Sequence, residues 1–229
     1  MNKAVIYIIL GLIPGLTKAA GVLPDVLNTA VGDTVIFETS LDPTQTPFQT
    51  IIWNFDELPV PIFISTTNKT APGYEDRLTV FMSTGSLELR NVSLFDTGRY
   101  NVNILIQDGN VMPGSTMLNV YERVSAVSVT SSSSVLVELN SSVHLSCSSS
   151  GSFLSFRWFN GSSEVTASDR VQITDGGSSM TIVTMTLYDE GPFRCHVSNA
   201  ISNDSSDPLV IVSGIQYHIL KSSYQLGHQ

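Results

Sequence analysis

Four histidines, two cysteines and twenty carboxylates are the side chains of this 229-residue chain that could carry chemistry. Their spacing decides which chemistry that is. His144 and His196 each sit close to a cysteine on alternating sequence, so both are expected to point outward, from strands of opposite sheets; His218 and His228 lie near the C-terminus. No two histidines have metal-ligand spacing, and no glycine-rich phosphate loop occurs. The Asp and Glu residues are scattered singly, and the runs Ser131–Ser134 and Ser148–Ser150 have turn and edge composition. The expectation is no catalytic residue, no metal, no cofactor and no enzymatic activity. What remains is Cys147 and Cys195, which in an oxidising compartment form one intrachain disulfide rather than a reactive thiol pair.

The elements that must position these cysteines repeat along the chain. Val143-x-Leu145-x-Cys147, Trp158 and Asp189-x-Gly191-x-Phe193-x-Cys195 are matched upstream by Val35-x-Phe37-x-Thr39, Trp53 and Asp96-x-Gly98-x-Tyr100-x-Val102. Cysteine, tryptophan and a corner motif two residues ahead of a second cysteine form the signature of an immunoglobulin sandwich. The chain therefore reads as all-β, with two tandem immunoglobulin-like β-sandwiches, the first having Thr39 and Val102 in place of its disulfide. Trp53 and Tyr100 are 47 positions apart, whereas Trp158 and Phe193 are 35 apart. The longer interval has room for the extra edge strands of a variable-type domain; the shorter suits an intermediate or constant type.

Short runs rich in Val, Ile, Thr, Tyr and Phe, broken by Gly, Asn, Asp and Ser, predict the strands. In the first domain these are 33–39, 50–55, 60–64, 77–82, 86–91, 99–107 and 112–121, with Asp108-Gly109 turning the last hairpin. In the second they are 126–130, 135–138, 142–148, 153–159, 170–174, 179–184, 192–198 and 207–213. The organisation follows as a signal peptide at 1–20, a V-type domain at 21–122, an I/C2-type domain at 123–213 and a polar tail at 214–229. The joint at Glu122 to Val124 lacks Gly and Pro and should be stiff.

Lys3, the apolar run Ala4 to Leu16 and the small residues around Ala19-Ala20 have the form of a secretory leader. That run is too short to span a bilayer, which takes about 20 residues. No later stretch resembles a transmembrane helix or a lipid-anchor signal, so the product is expected to be extracellular, secreted or a truncated form of an anchored protein. Removing Lys3 and Lys18 with the leader takes the formal charge from −9 to about −11. With no run of Lys and Arg, nucleic acid and anionic membrane are poor partners.

The first domain must hold together without a bridge. Val35, Phe37, Ile51, Trp53, Leu78, Val80, Leu87, Leu89, Tyr100, Val102 and Ile104 fall at inward positions. Arg77 and Asp96 are expected to close the base of the sandwich as a partly buried, bidentate ion pair. In the second domain Phe193 replaces the corner tyrosine and loses its hydroxyl.

Five Asn-x-Ser/Thr sequons, at Asn68, Asn91, Asn140, Asn160 and Asn203, are candidate glycan sites. None falls on the strands carrying Trp53, Tyr100 or Met117, so one outward sheet face is left free. Alternation places Ile52, Asn54, Arg99, Asn101, Asn103, Leu105, Gln107, Met117 and Asn119 there. Ile52, Leu105 and Met117 among amides have the character of a protein-binding patch.

Asp76-Arg77-Leu78, Asp96-Thr97-Gly98-Arg99-Tyr100 in a disulfide-free first domain, and Asn199-Ala200-Ile201-Ser202-Asn203-Asp204-Ser205-Ser206-Asp207-Pro208 closing the second, resemble the carcinoembryonic-antigen-related cell adhesion molecules, and the hepatic cell adhesion molecule group is similar. The resemblance covers residues 22 to 213. It implies homophilic or heterophilic adhesion to another immunoglobulin-superfamily domain through that sheet, with Ile52, Asn54, Arg99, Asn103, Leu105 and Met117 as partner-binding residues and a weak homodimer as one form. Members of that family usually continue to a membrane anchor, which implies a soluble or truncated form here. The alternatives are the ectodomain of a lymphocyte signalling receptor, in which family analogy would put a second disulfide, and a secreted immune decoy.

Overall fold

The computed structural model describes residues 22–41, 48–56, 58, 61–67, 69–132, 136–137, 141–186 and 188–213. The residues expected to form a leader, those from 214 onward, Asn68 and Asn140 lie outside them. The chain divides into two compact units, at Tyr121 and Glu122.

Among the described residues the first unit holds nine strands: β1 (Val26–Ala30), β2 (Val35–Phe37), β3 (Phe48–Phe55), β4 (Phe63–Ile64), β5 (Lys69–Thr70), β6 (Leu78–Val80), β7 (Leu87–Leu89), β8 (Gly98–Ile106) and β9 (Val111–Tyr121). One sheet has the order β1-β9-β8-β3-β4-β5 and the other β2-β7-β6. β4 and β5 are the extra edge strands that the long Trp53–Tyr100 interval foretold. β1 had not been expected: it runs parallel to β9 and pairs Val26 with Met117. Of the expected strand 60–64, β4 holds Phe63 and Ile64, with Ile62 giving its amide to the Trp53 carbonyl just before it and residue 60 outside the described residues.

Side chains from the two sheets meet in one apolar core. Phe37, Ile51, Trp53, Leu87, Leu89, Tyr100, Val102 and Ile104 are fully buried. Leu78 and Val80 depart from the expectation, since the short edge strand β6 leaves both only half-buried. Where a disulfide would stand, Val102 is buried and Thr39 donates its hydroxyl to the Thr84 carbonyl at 2.6 Å. Aromatic packing surrounds the place: Phe37 lies 4.5 Å from Tyr100 and 5.7 Å from Trp53 between ring centroids, and Phe55 stacks on Tyr100 at 4.7 Å. Such pairs add roughly 0.5–1.5 kcal/mol each beyond their burial. The Trp53 indole donates to the Gly85 carbonyl at 3.0 Å, so its one polar atom is satisfied inside the core.

The second unit holds β10 (Ser125–Ser131), β11 (Leu136–Val137), β12 (Val143–Ser150), β13 (Ser155–Asn160), β14 (Ser163–Val165), β15 (Val171–Thr174), β16 (Ser179–Ile182), β17 (Phe193–Ser198), β18 (Asn203–Ser205) and β19 (Val212–Ser213). Its facing sheets are β10-β12-β16-β15 and β14-β13-β17-β18, and β11 pairs with β19. β14 and β18 had not been read from the sequence, and the expected strand 207–213 survives only as β19 and a bridge between Phe193 and Leu209. Cys147 on β12 and Cys195 on β17 form the disulfide between the sheets, with Cα atoms 6.2 Å apart. Trp158 packs in the same core and repeats the first unit's indole bond, here to the Gly177 carbonyl at 2.8 Å.

Both corners are built alike. Asp96 Oδ2 accepts from the Ser93 amide and hydroxyl, and Tyr100 donates its hydroxyl to the Asp96 carbonyl at 3.0 Å. Asp189 Oδ2 accepts from the Thr186 amide and hydroxyl in the same way. Phe193 fills the Tyr100 position and makes no such bond.

Candidate recognition face

The outward side of the six-stranded sheet is ordered by strand register into rows, because paired residues of adjacent strands point the same way. The first row runs Thr50–Leu105–Val111 and the second Ile64–Ile52–Asn103–Pro113. The third is Asn54–Asn101–Ser115, and the fourth Arg99–Met117–Val26. Arg99, Asn103, Val111, Pro113, Ser115 and Val26 are exposed; Ile52, Asn54, Asn101, Leu105 and Met117 are half-buried.

The apolar residues form two groups rather than one. Leu105, Val111, Ile52, Ile64 and Pro113 occupy the first two rows. Met117 lies six positions beyond Val111 on β9, beside Arg99 and Val26. At about 3.4 Å per residue this is roughly 20 Å from the Leu105 row and roughly 14 Å from the Ile52 row, so Met117 does not join Ile52 and Leu105 as the alternation suggests. Polar side chains separate the groups. Arg99 Nη1 donates to Ser115 Oγ at 3.1 Å, its Nε stands 4.0 Å from Asp56 Oδ2, and Asn101 donates to Asp56 Oδ1 at 2.5 Å. Asp56, Val111 and Pro113 were missed in the sequence. Extending the alternation of β9 back from Met117 reaches 115, 113 and 111, whereas Asp56 follows the end of β3 and has no periodic signal.

Asn91 is exposed, between β7 and the corner turn, with φ of 49°, a conformation asparagine tolerates. Asn203 is exposed on β18, and Asn160 is half-buried at the end of β13. No sequon among the described residues lies on the row-ordered face.

The Arg77–Asp96 pair closes the first unit's base through one contact, Nη2 to Oδ2 at 2.5 Å, and not the bidentate fork expected. The reason is geometric: Arg77 Nε is spent on the Arg90 carbonyl at 3.1 Å, and Asp96 Oδ2 already serves Ser93. The fork occurs instead in the second unit, where Arg170 Nη1 and Nη2 reach Asp189 Oδ2 and Oδ1 at 2.9 and 3.3 Å. Arg77 precedes Asp96, and Arg170 precedes Asp189, by the same 19 positions, a repeat that could have revealed the second pair. Burial pushes Asp189 toward the neutral form, but hydrogen bonds from Arg170 and Thr186 outweigh it and hold the carboxyl below its usual value. Burial likewise pushes the Tyr100 phenol far up, with the nearby Tyr74 and Asp96 adding to it.

His144 and His196 stand in opposite sheets of the second unit, as read. The first shares hydrogen bonds with Thr181 and Ser146 hydroxyls, and the second with Ser205. Among the described residues no group of three or more His, Cys, Asp or Glu could hold a metal ion, and no helix is long and apolar enough to cross a membrane.

Residues 22–121 match the immunoglobulin V-set domain and residues 133–207 the immunoglobulin domain. The chain is 30% identical over 142 residues to the hepatic and glial cell adhesion molecule of Bos taurus, covering 61% of this chain and 34% of that protein. To the human protein of that name it is 26% identical over 192 residues, 81% of this chain and 46% of the other. It thus spans between a third and a half of the curated relatives it matches. A crystal structure of murine CEACAM1b superposes with a TM-score of 0.67 at 23% identity, over 81% of this chain and 95% of that one. The CD2-binding domain of CD58 does so with a TM-score of 0.60 at 16% identity, over 82% and 97%. These two likenesses establish the fold.

Proposed function

From a V-set domain followed by a second immunoglobulin domain, in a chain similar to immunoglobulin-superfamily cell adhesion molecules, we propose a recognition module of the adhesion type. It acts outside the cell and binds another immunoglobulin-superfamily domain, homophilically or heterophilically, through the outward side of the β1-β9-β8-β3-β4-β5 sheet. Ile52, Asn54, Arg99, Asn103 and Leu105 carry the contact, and Met117 sits at its rim. The reading includes glycans on the sequon asparagines and a soluble or truncated product that competes with anchored partners.

One observation carries this reading: two adjacent rows place Leu105, Val111, Ile52, Ile64 and Pro113 together, with amides and Arg99 around them and no described sequon on the same side. An apolar centre with a polar rim is the anatomy of a protein interface. A single sandwich face buries modest area, so avidity between many copies supplies the holding strength.

The test compares beads coated with wild-type chain and with Leu105→Arg, a half-buried position at which a cation need not unfold the sandwich. Wild-type beads should cluster with each other or with cells displaying immunoglobulin-superfamily ectodomains, and the variant should lose at least tenfold of that binding at unchanged melting temperature. Equal binding by the two proteins would remove this face from consideration.

A further inference from the structure

The second unit has an outward sheet face of its own, on β14-β13-β17-β18. Trp158 and Cys195 are paired in register and lie in the core, so Arg157, Phe159, Arg194 and His196 on either side of them point out. Register orders these into two rows, Glu164–Phe159–Arg194 and Arg157–His196–Ser205. Arg157 and Arg194 form one diagonal of a square, with Cβ atoms roughly 7–8 Å apart. Phe159 and His196 form the other, their rings edge-on with centroids 6.3 Å apart, and His196 Nδ1 shares a hydrogen bond with the Ser205 hydroxyl at 3.0 Å. The charges of this square differ from those elsewhere in the chain, whose formal net charge is −9. Arg77, Arg90, Arg99 and Arg170 each stand within 4.0 Å of a carboxylate. Arg157 and Arg194 are exposed, and among the described residues neither side chain takes part in a hydrogen bond or ion pair. Glu164, the carboxylate of these rows, is two strand spacings or roughly 10 Å from Arg194, beyond pairing distance.

We infer that this face binds a sulfated polysaccharide, with Arg157 and Arg194 each holding a sulfate and the Phe159 and His196 rings forming the floor between them. The site lies in the second unit alone and rests only on the extracellular part of the function proposed above. Two guanidinium groups on one face with no carboxylate between them repel each other, and anions from outside relieve that repulsion. A planar guanidinium forks onto oxyanions such as sulfate through paired, charge-assisted hydrogen bonds. A sheet face does not enclose a single sugar as a concave pocket would, so its affinity must come from charge repeated along an extended ligand. A linear polyanion also releases condensed counterions when arginines replace them, a gain that one acidic sugar lacks. The chain has no run of Lys and Arg, yet the pairing of β13 with β17 brings positions 157 and 194 together and makes the cationic patch that the sequence alone does not display.

Binding of the full chain to immobilised heparin tests this. It is measured before and after enzymatic removal of N-glycans, because the sequon residue Asn203, opposite Ser198, adjoins the site. Wild type should be retained at low salt, with each arginine contributing about one unit to the slope of log affinity against log salt. Arg157→Gln and Arg194→Gln should each weaken binding about threefold or more, and the double variant about tenfold or more, at unchanged melting temperature. Lys69→Gln, which removes an exposed cation from the first unit, should bind as wild type does. Hyaluronan, which carries carboxylates and no sulfate, should bind about tenfold more weakly than heparin or worse. No retention of either glycan form, a double variant that binds like wild type, or an equal loss in Lys69→Gln would overturn the site. Hyaluronan bound as tightly as heparin would overturn sulfate as the group recognised. The bead clustering that tests adhesion does not involve these residues, so either result can fail without the other.

Discussion

Arg77 and Asp96 meet through a single Nη2–Oδ2 contact of 2.5 Å at the base of the first unit, with the aspartate side chain 3% exposed and the arginine 26%. Arg170 and Asp189 meet at the equivalent place in the second unit through two contacts, with exposures of 47% and 13%. The more buried pair therefore has the poorer geometry, and burial decides which matters more for stability. A charge left alone in the interior costs several kcal/mol, whereas an exposed fork is screened.

Arg77→Ala strands the Asp96 charge, and Asp96→Ala also removes the acceptor of the Ser93 amide and hydroxyl. Each should destabilise the first unit by about 3 kcal/mol. Because they break one network, the double variant should cost little more than either single, read from urea midpoints. Strictly additive losses would mean that the two charges act separately.

Acid should loosen the second unit through Asp189. Its carboxyl is held below the usual value, so the folded state favours the charged form. The stability this gives is present above the ordinary aspartate pKa of about 3.9 and is lost as pH falls below it. Asp189→Asn should flatten the dependence between about pH 4 and 2 in melting experiments that resolve the second unit; an unchanged slope would assign acid sensitivity to other carboxylates.

Gly98 has φ of 156°, and a Cβ built there would stand 2.5 Å from the Phe55 ring. Phe55 stacks on Tyr100, so the ring has little freedom to withdraw. Gly98→Ala should cost about 2 kcal/mol or more from overpacking alone, visible as a lower melting temperature of the first unit. A loss below about 0.5 kcal/mol would show that the aromatic stack yields easily.

Tyr100→Phe gives the first unit the corner that Phe193 makes in the second. The ring stays packed, while the Asp96 carbonyl loses its buried donor. The expected loss is about 1–2 kcal/mol. In the unmodified chain the Tyr100 phenol, its ionisation pushed far up chiefly by burial, should remain protonated after exposed tyrosines have titrated; the stability it confers is present below about pH 10 and is lost above it. Absorbance of tyrosinate against pH, for wild type and variant, checks both points.

The sandwich pair was legible in the chain because each signal is local or periodic. Trp53, Trp158, the two Asp-x-Gly corners and the alternation of β3, β8 and β12 fix which residues face inward, and Cys147 and Cys195 are the chain's two cysteines. The short elements were less legible. β1, β14 and β18 have at most five residues, and their pairing is decided by the neighbouring strand more than by their own pattern. The same limit applied to the recognition face. Alternation alone named Ile52, Leu105 and Met117 as outward, and it had no means of saying which stand together.

Register settled that, by pairing Leu105 with Val111 and Arg99 with Met117 at opposite ends of one ladder. Likewise the sequence determined that Arg77 and Asp96 should approach, while competition from the Arg90 carbonyl and Ser93 left them one contact instead of two. Periodicity along a strand is a one-dimensional property and survives in the sequence. Neighbourhood across strands depends on hydrogen-bond register and on which polar groups claim each donor first, and only the folded chain decides those.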